Sequence, residues 1–167
     1  MALALHRPLP PAALPGALAG ISLLSVALAF ASQYWGGLHP CELCWYQRYA
    51  HFAAIVLLLP ALLASGNPLL RRASLAAGGL AFLAGLGIAG FHVGVEQHWW
   101  EGSTSCVGLK GAATLEDLRA QILAAPVVRC DEIQFSLLGL SMAAWNGLLC
   151  LVLGGVALAA AAGKEPR

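Results

Sequence analysis

The sequence predicts an all-α membrane protein: a four-transmembrane-helix bundle with a short amphipathic interfacial helix in its second outer connection. Three observations carry this. Of 167 residues, 59% are hydrophobic and 10% charged, against roughly 25% charged in soluble chains, which leaves too little polar surface to face water. Four apolar stretches, about 16–34, 45–64, 73–95 and 140–163, have the roughly 20 residues that cross a ~30 Å hydrocarbon core. Charge inside them is confined to Arg48. In lipid a helix satisfies its own backbone, so residues 1–167 read as a single integral membrane domain in a lipid bilayer. The net charge of +1 says nothing about nucleic acid, but no Lys/Arg-rich run occurs to bind phosphates, which argues against nucleic acid as a partner.

The N-terminal tail carries Pro8, Pro10, Pro11 and Pro15 and reads as irregular. Ala29-Phe30-Ala31 looks like a signal-peptide cleavage site, but the prolines make a poor n-region, which favours a retained first span. That span ends at Gly36-Gly37, and a short turn makes the first two helices antiparallel neighbours. The second contains Pro60 near its far end, where a kink is tolerable in a bundle. Ser65-Gly66-Asn67-Pro68 signals a turn, and Arg71-Arg72 anchor the third span. Ala81, Gly85 and Ala89 recur at four-residue spacing in that span, a small face that lets membrane helices approach closely or makes room for a flat ligand. Between the last two spans, residues 114–123 read as an amphipathic helix. Thr114 is its N-cap, Asp117 stands three residues on, and Leu115, Leu118 and Ile122 form its apolar stripe. Such a helix suits the membrane interface or packing on the loop itself. Pro126 follows its end.

Orientation comes from the basic residues. Arg7, Arg71, Arg72, Lys164 and Arg167 lie on one side with one acid, Glu165; Arg48, Lys110, Arg119 and Arg129 lie on the other with seven acids. The positive-inside rule then makes both termini cytoplasmic. Trp35, Trp45, Trp99, Trp100 and Trp145 all fall near span ends on the opposite side, as one aromatic belt. The outer segments are about 35–44 and 96–139.

The chemistry concentrates in Pro40-Cys41-Glu42-Leu43-Cys44-Trp45-Tyr46-Gln47-Arg48. A helix beginning near Pro40, a residue tolerated in a first turn, puts Cys41, Cys44 and Arg48 on one face. Thiols near a helix N-terminus and a cation are thiolates more of the time. Cys41, Cys44, Cys106 and Cys130 all lie on the outer side, whereas Cys150 sits among leucines in the last span and reads as a small buried apolar residue. A static disulfide suits Cys106 and Cys130, which would close a loop of about 25 residues and contribute ~3 kcal/mol. It suits Cys41 and Cys44 poorly, because so small a ring removes little chain entropy; reversible exchange is the usual use of C-x-x-C. Two outer pairs suggest relay by thiol–disulfide exchange. One pair in a loop can meet a soluble dithiol protein, and one at the bilayer rim can meet a lipid-soluble oxidant such as a quinone. Arg48 then favours the Cys44 thiolate and can stabilise negative charge on a ring oxygen.

Cys41-Glu42-Leu43-Cys44 with Arg48, then Cys106 and Cys130, then Gly139-Leu140-Ser141-Met142 before the last span, resembles the DsbB family of bacterial disulfide-bond formation proteins. The resemblance implies a quinone-dependent thiol oxidase of the bacterial inner membrane, with its active cysteines on the periplasmic side. It implies that a reduced, DsbA-like periplasmic thioredoxin-fold oxidase attacks a Cys106–Cys130 disulfide at Cys106. Cys130 then exchanges with Cys41, and Cys44 faces ubiquinone or menaquinone from the membrane quinone pool. His92, near the outer end of the third span, could hydrogen-bond a quinone oxygen, and His98 is its rival for that place. His51 and His39 read as interfacial, Glu96 and Gln97 receive no role, and Asn146 reads as an interhelical hydrogen bond.

Four rivals stand beside this reading. A zinc Cys₄ site lacks a second C-x₂-C. A b-type cytochrome would use His51 and His92 as axial ligands. A structural protein would use its cysteines only as staples. A vitamin-K-reductase-like enzyme shares the bundle and the C-x-x-C, but carries that motif late in the bundle, whereas here it opens the second span.

Overall fold

The computed structural model describes residues 10–64, 66–102, 114–124 and 129–163. Four helices are long and apolar enough to cross a membrane: α1 (Ala13–Tyr34), α2 (Glu42–Leu63), α3 (Pro68–Glu96) and α5 (Met142–Ala162). The short α4 (Leu115–Ala124) lies in the connection between α3 and α5. Thr114 caps it as expected, its Oγ1 accepting from the Asp117 N–H at 3.1 Å. Leu115 is exposed; the side chains of Leu118 and Ile122, and Pro126, lie outside the described residues.

Three of the four membrane helices begin on side-chain caps, which is why their starts differ from those read off hydropathy. Asn67 accepts from the Leu70 N–H at 3.1 Å and Pro68 occupies the first turn, so α3 starts five residues before its apolar run. Cys41 caps α2 and Ser141 caps α5, the latter accepting from the Ala144 N–H at 3.2 Å. Helix 2 therefore begins at Glu42, two residues later than the expected start at Pro40. Between α1 and α2 the chain turns through Gly37, whose φ of +68° suits a residue without Cβ. Before α5, β1 (Ser136–Leu137) and β2 (Leu140–Ser141) pair antiparallel, turning through Leu138 and Gly139 at φ of +54° and +81°. This small hairpin adds to the helical bundle the sequence predicts. Its register pairs Leu137 with Leu140 and sets Ser141 at the start of α5.

Helix 3 is the centre of the bundle, packed on α2 and α5, while α1 packs mainly on α2. The core is Leu18, Ala54, Leu58, Leu75, Phe82, Cys150, Leu153 and Ala157. Leucines such as Leu23, Leu28, Leu59 and Leu151 point outward, as helices hydrophobic all round do in lipid. The small residues of α3 set the helix spacing. A Cβ on Gly78 would lie 2.9 Å from the Leu58 side chain, and one on Gly79 2.8 Å from Leu158. At Gly85 it would meet Cys150 Sγ at 3.0 Å and Ala50 at 3.1 Å. The small face thus serves close helix approach. Cys150 is buried as expected, with its Sγ 3.7 Å from His51 Nε2.

Gly85→Leu should therefore lower unfolding stability in detergent by about 1–3 kcal/mol through overpacking. Gly87→Ala, at a position with nothing within 4 Å, should leave the same melting curve unchanged or slightly raised.

Candidate functional site

The turn after α1 delivers Cys41 to the N-cap of α2, where its sulfur accepts from the Cys44 N–H at 3.3 Å. One helical turn then brings Cys44 Sγ to 2.9 Å from Cys41 Sγ, with Cys41 donating. Both sulfurs sit at the positive end of the helix dipole, and a small movement would join them, since a disulfide needs about 2.05 Å. Cys130 comes from the connection between α3 and α5 and is 1% exposed, packed with Cys41, Leu43 and Val95. Its segment is tied down by Gln134 Nε2 donating to the His39 carbonyl at 2.8 Å and Trp145 Nε1 donating to the Leu137 carbonyl at 3.1 Å. Hydrogen bonding to Cys130 and Cys44, and then burial, push the Cys41 thiol well above the ordinary thiol range. Arg129 pairs with Asp131 beside the loop cysteine and holds that carboxyl below its usual value.

Arg48 is buried, and its head group is held by α1 rather than by water. Its Nη1 donates to Gln33 Oε1 at 2.7 Å and its Nη2 to the Ala29 carbonyl at 3.1 Å. The guanidinium carbon lies 4.6 Å from the Phe30 ring centre and 4.9 Å from that of Trp45, within cation–π range of both. The cation is thereby fixed below the dithiol, with further N–H groups left for a ligand.

His92 lies beside the dithiol: its Nε2 is 3.6 Å from Cys41 Sγ and 3.8 Å from Glu96 Oε1, and its Nδ1 is 2.8 Å from Gln47 Nε2. Glu96 in turn accepts from Ser141 Oγ at 2.5 Å. His98 is exposed beyond the end of α3 at φ +57°, so the two histidines have separate surroundings. His51, expected at the interface, is instead 2% exposed in the bundle interior. It shares an inward stripe of α2 with Gln47, Ala54 and Leu58, which turns it toward Ser22 and Asn146. Its Nδ1 is 2.7 Å from Ser22 Oγ and its Nε2 is 2.8 Å from Asn146 Oδ1. Asn146 also donates to Gln47 Oε1 at 2.7 Å, the interhelical bond expected of it.

These groups line a cavity of about 550 Å³. Cys41, Cys44, Arg48 and His92 lie on it with Gln47 and Asn146, and Val26, Ala29, Met142 and Leu149 supply apolar wall. Exposed side chains also line it: Leu28 on α1 and Met142 and Trp145 on α5. The structure thus brings together Cys41, Cys44, Cys130, Arg48 and His92; Cys106 lies outside the described residues. Gln33, Gln47, Glu96 and Ser141 were missed. Polar side chains in or at the ends of apolar runs were their signal, but spacing alone does not say which of them meet. Cys41, Cys44 and His92 also bring ligand atoms within 4.8 Å of one another, a set of soft donors on the same dithiol.

A family model for the disulfide bond formation protein DsbB matches residues 11–160. The chain belongs to the DsbB family. Disulfide bond formation protein B of Herminiimonas arsenicoxydans is 42% identical over 82 residues. That match covers 49% of this chain and 51% of the relative, so the chain spans about half the length of the curated relative it matches. No solved structure matches. The DsbB family match takes in α1, α2, α3 and nearly all of α5 with the α1–α2 and α3–α5 connections, and within it lies the dithiol at the start of α2.

In the fully reduced protein, Cys44, the half-exposed sulfur, should alkylate before the buried Cys41, Cys130 and Cys150. Because the Cys41 proton is held tightly, labelling of Cys41 should keep rising with pH above ~8.5, where an ordinary thiol is already largely ionised. Peptide mass spectrometry across a pH series reads both.

Proposed function

We propose that this DsbB family member reoxidises a periplasmic, DsbA-like thioredoxin-fold dithiol oxidase and passes the electrons to membrane quinone, sustaining protein disulfide formation. The observation that carries the reading is the Cys41–Cys44 dithiol lining an apolar-walled cavity with a fixed cation on it. In this reading the chain is a multi-pass protein of the bacterial inner membrane with both termini cytoplasmic.

The residues fit a quinone headgroup. A cavity of about 550 Å³ lies within the ~300–1,000 Å³ of small-molecule sites. Its apolar wall suits a flat ring, and Arg48 offers donors to a ring oxygen. Ubiquinone or menaquinone, when bound, accepts two electrons and two protons. Every other step belongs to the chain. A partner thiolate attacks Cys106, breaks the Cys106–Cys130 bond and leaves Cys130 as thiolate. The partner's second thiol then closes the partner's own disulfide and releases Cys106. Cys130 attacks Cys41 of the Cys41–Cys44 disulfide, and Cys44 leaves as thiolate. Attack of Cys106 on Cys130 restores the loop disulfide and frees Cys41. Two electrons and two protons now sit on Cys41 and Cys44, and reclosure of that pair delivers them. The packing of Cys130 against Cys41 supports the loop-to-helix exchange. The helix N-terminus and Arg48 favour Cys44 as the leaving sulfur. His92 and Gln47 border the cavity as further hydrogen-bonding groups.

The test mixes purified protein with a reduced DsbA-like protein and ubiquinone or menaquinone, and follows quinone reduction. Cys44→Ser should abolish turnover; a fully active variant would sink the mechanism. Arg48→Ala should raise the quinone KM by roughly tenfold or more, the range for a lost hydrogen bond to a charged group. Arg48→Lys keeps the charge but loses the planar fork and should fall between. Cys106→Ala should abolish exchange with the soluble partner while leaving quinone affinity intact.

A further inference from the structure

Six polar side chains from four helix elements form one continuous hydrogen-bond chain through the bundle: Ser22, His51, Asn146, Gln47, His92 and Cys41, ending on Cys44. Its amides give it a direction. Gln47 presents its Nε2 to His92 Nδ1, and an amide nitrogen only donates. Nδ1 therefore accepts, and the ring proton of His92 is on Nε2, facing the Cys41 sulfur. Gln47 Oε1 accepts from Asn146 Nδ2, and Asn146 Oδ1 faces His51 Nε2. A carbonyl oxygen only accepts, so the proton of His51 is also on Nε2. Its Nδ1 then accepts from the Ser22 hydroxyl. At the outer end Cys41 accepts from His92 and donates to Cys44.

Every donor thus points the same way, from Ser22 in the middle of α1 to Cys44 at the cavity. We propose that Ser22, His51, Asn146 and Gln47 are positioning residues that lock the tautomer of His92, so that its protonated Nε2 offers no lone pair to take the Cys41 proton, and the Cys41 thiol is left to donate to Cys44 as the acceptor sulfur. Chains of hydrogen bonds polarise one another in a low-dielectric interior, so a hydroxyl four hydrogen bonds away from His92 still biases it. The buried Glu96, held by Ser141, faces the same His92 nitrogen at 3.8 Å and favours the same tautomer. The reversed chain is the competing arrangement. There Cys41 would donate to His92, both amides would be turned over, and Ser22 would donate to the His51 carbonyl, 3.4 Å from its Oγ.

This rests on the reading of Cys44 as the working sulfur, but its test needs no quinone. Full-length reduced protein with ¹⁵N-labelled histidine, the His92 signal assigned by its loss in His92→Gln, should show a protonated Nε2 and an unprotonated Nδ1. Asn146→Leu should mix the two tautomers and lower the ratio of Cys44 to Cys41 alkylation about tenfold. Ser22→Ala, a nearly isosteric change whose melting curve verifies folding, should shift the ratio about threefold in the same direction; both magnitudes follow from losing one hydrogen bond. A wild-type ring protonated on Nδ1 would mean that the chain runs the other way and would overturn the proposal. So would an unchanged tautomer in both variants, or a changed tautomer with an unchanged labelling ratio. Absence of quinone turnover with the tautomer result intact would refute the oxidase reading and leave the positioning chain standing.

Discussion

A polar side chain carried into an apolar bundle must find its partner there, because no water is available to take its place. The arrangement of this protein follows from that constraint. Ser22, Gln47, His51, His92 and Asn146 come from four helices, and each is partnered within the bundle. Among the described residues no buried side-chain nitrogen or oxygen lacks a hydrogen bond. Such pairing does more than remove a penalty. Amide groups donate and accept at fixed ends, so a fully satisfied chain of them also has a direction, and that direction reaches the sulfurs.

The chain forms only because the helices approach closely. Glycine at 78, 79 and 85 lets α2 and α5 sit against α3 at distances that a Cβ would prevent. Gln47 and Asn146, on α2 and α5, can then reach each other beside α3. The same closeness puts His92 of α3 next to Cys41 at the cap of α2. Small residues with no chemistry of their own thereby set the reach of the residues that have it.

Arg48 shows a second use of neighbouring helices. A cation at this depth is expected to reach for headgroups, yet its head group is held between two aromatic rings and by two oxygens of α1. Holding it there costs the flexibility a lysine would keep and gives the cavity a charge of fixed position. The apolar wall around it strengthens that charge, since fields fall off less in a low dielectric.

Composition and periodicity alone determined the membrane class, the four spans, the pairing of Cys41 with Cys44 three residues on, and the Thr114 cap. These depend on local properties: length of an apolar run, spacing along a helix, a short polar side chain before a helix start. The exact starts of α2 and α3 were less legible, because Cys41 and Asn67 cap their helices through geometry that hydropathy does not register. Only the tertiary structure decided that His51 belongs to the interior, that His92 rather than His98 joins the dithiol, and that Cys130 packs on Cys41. It also decided that Gln33 of α1 holds Arg48 of α2. These are contacts between residues 15 to 95 positions apart, and their existence depends on how the helices rotate about their own axes. Rotation is set by packing of the small face of α3, a property of the assembled bundle and not of any one segment.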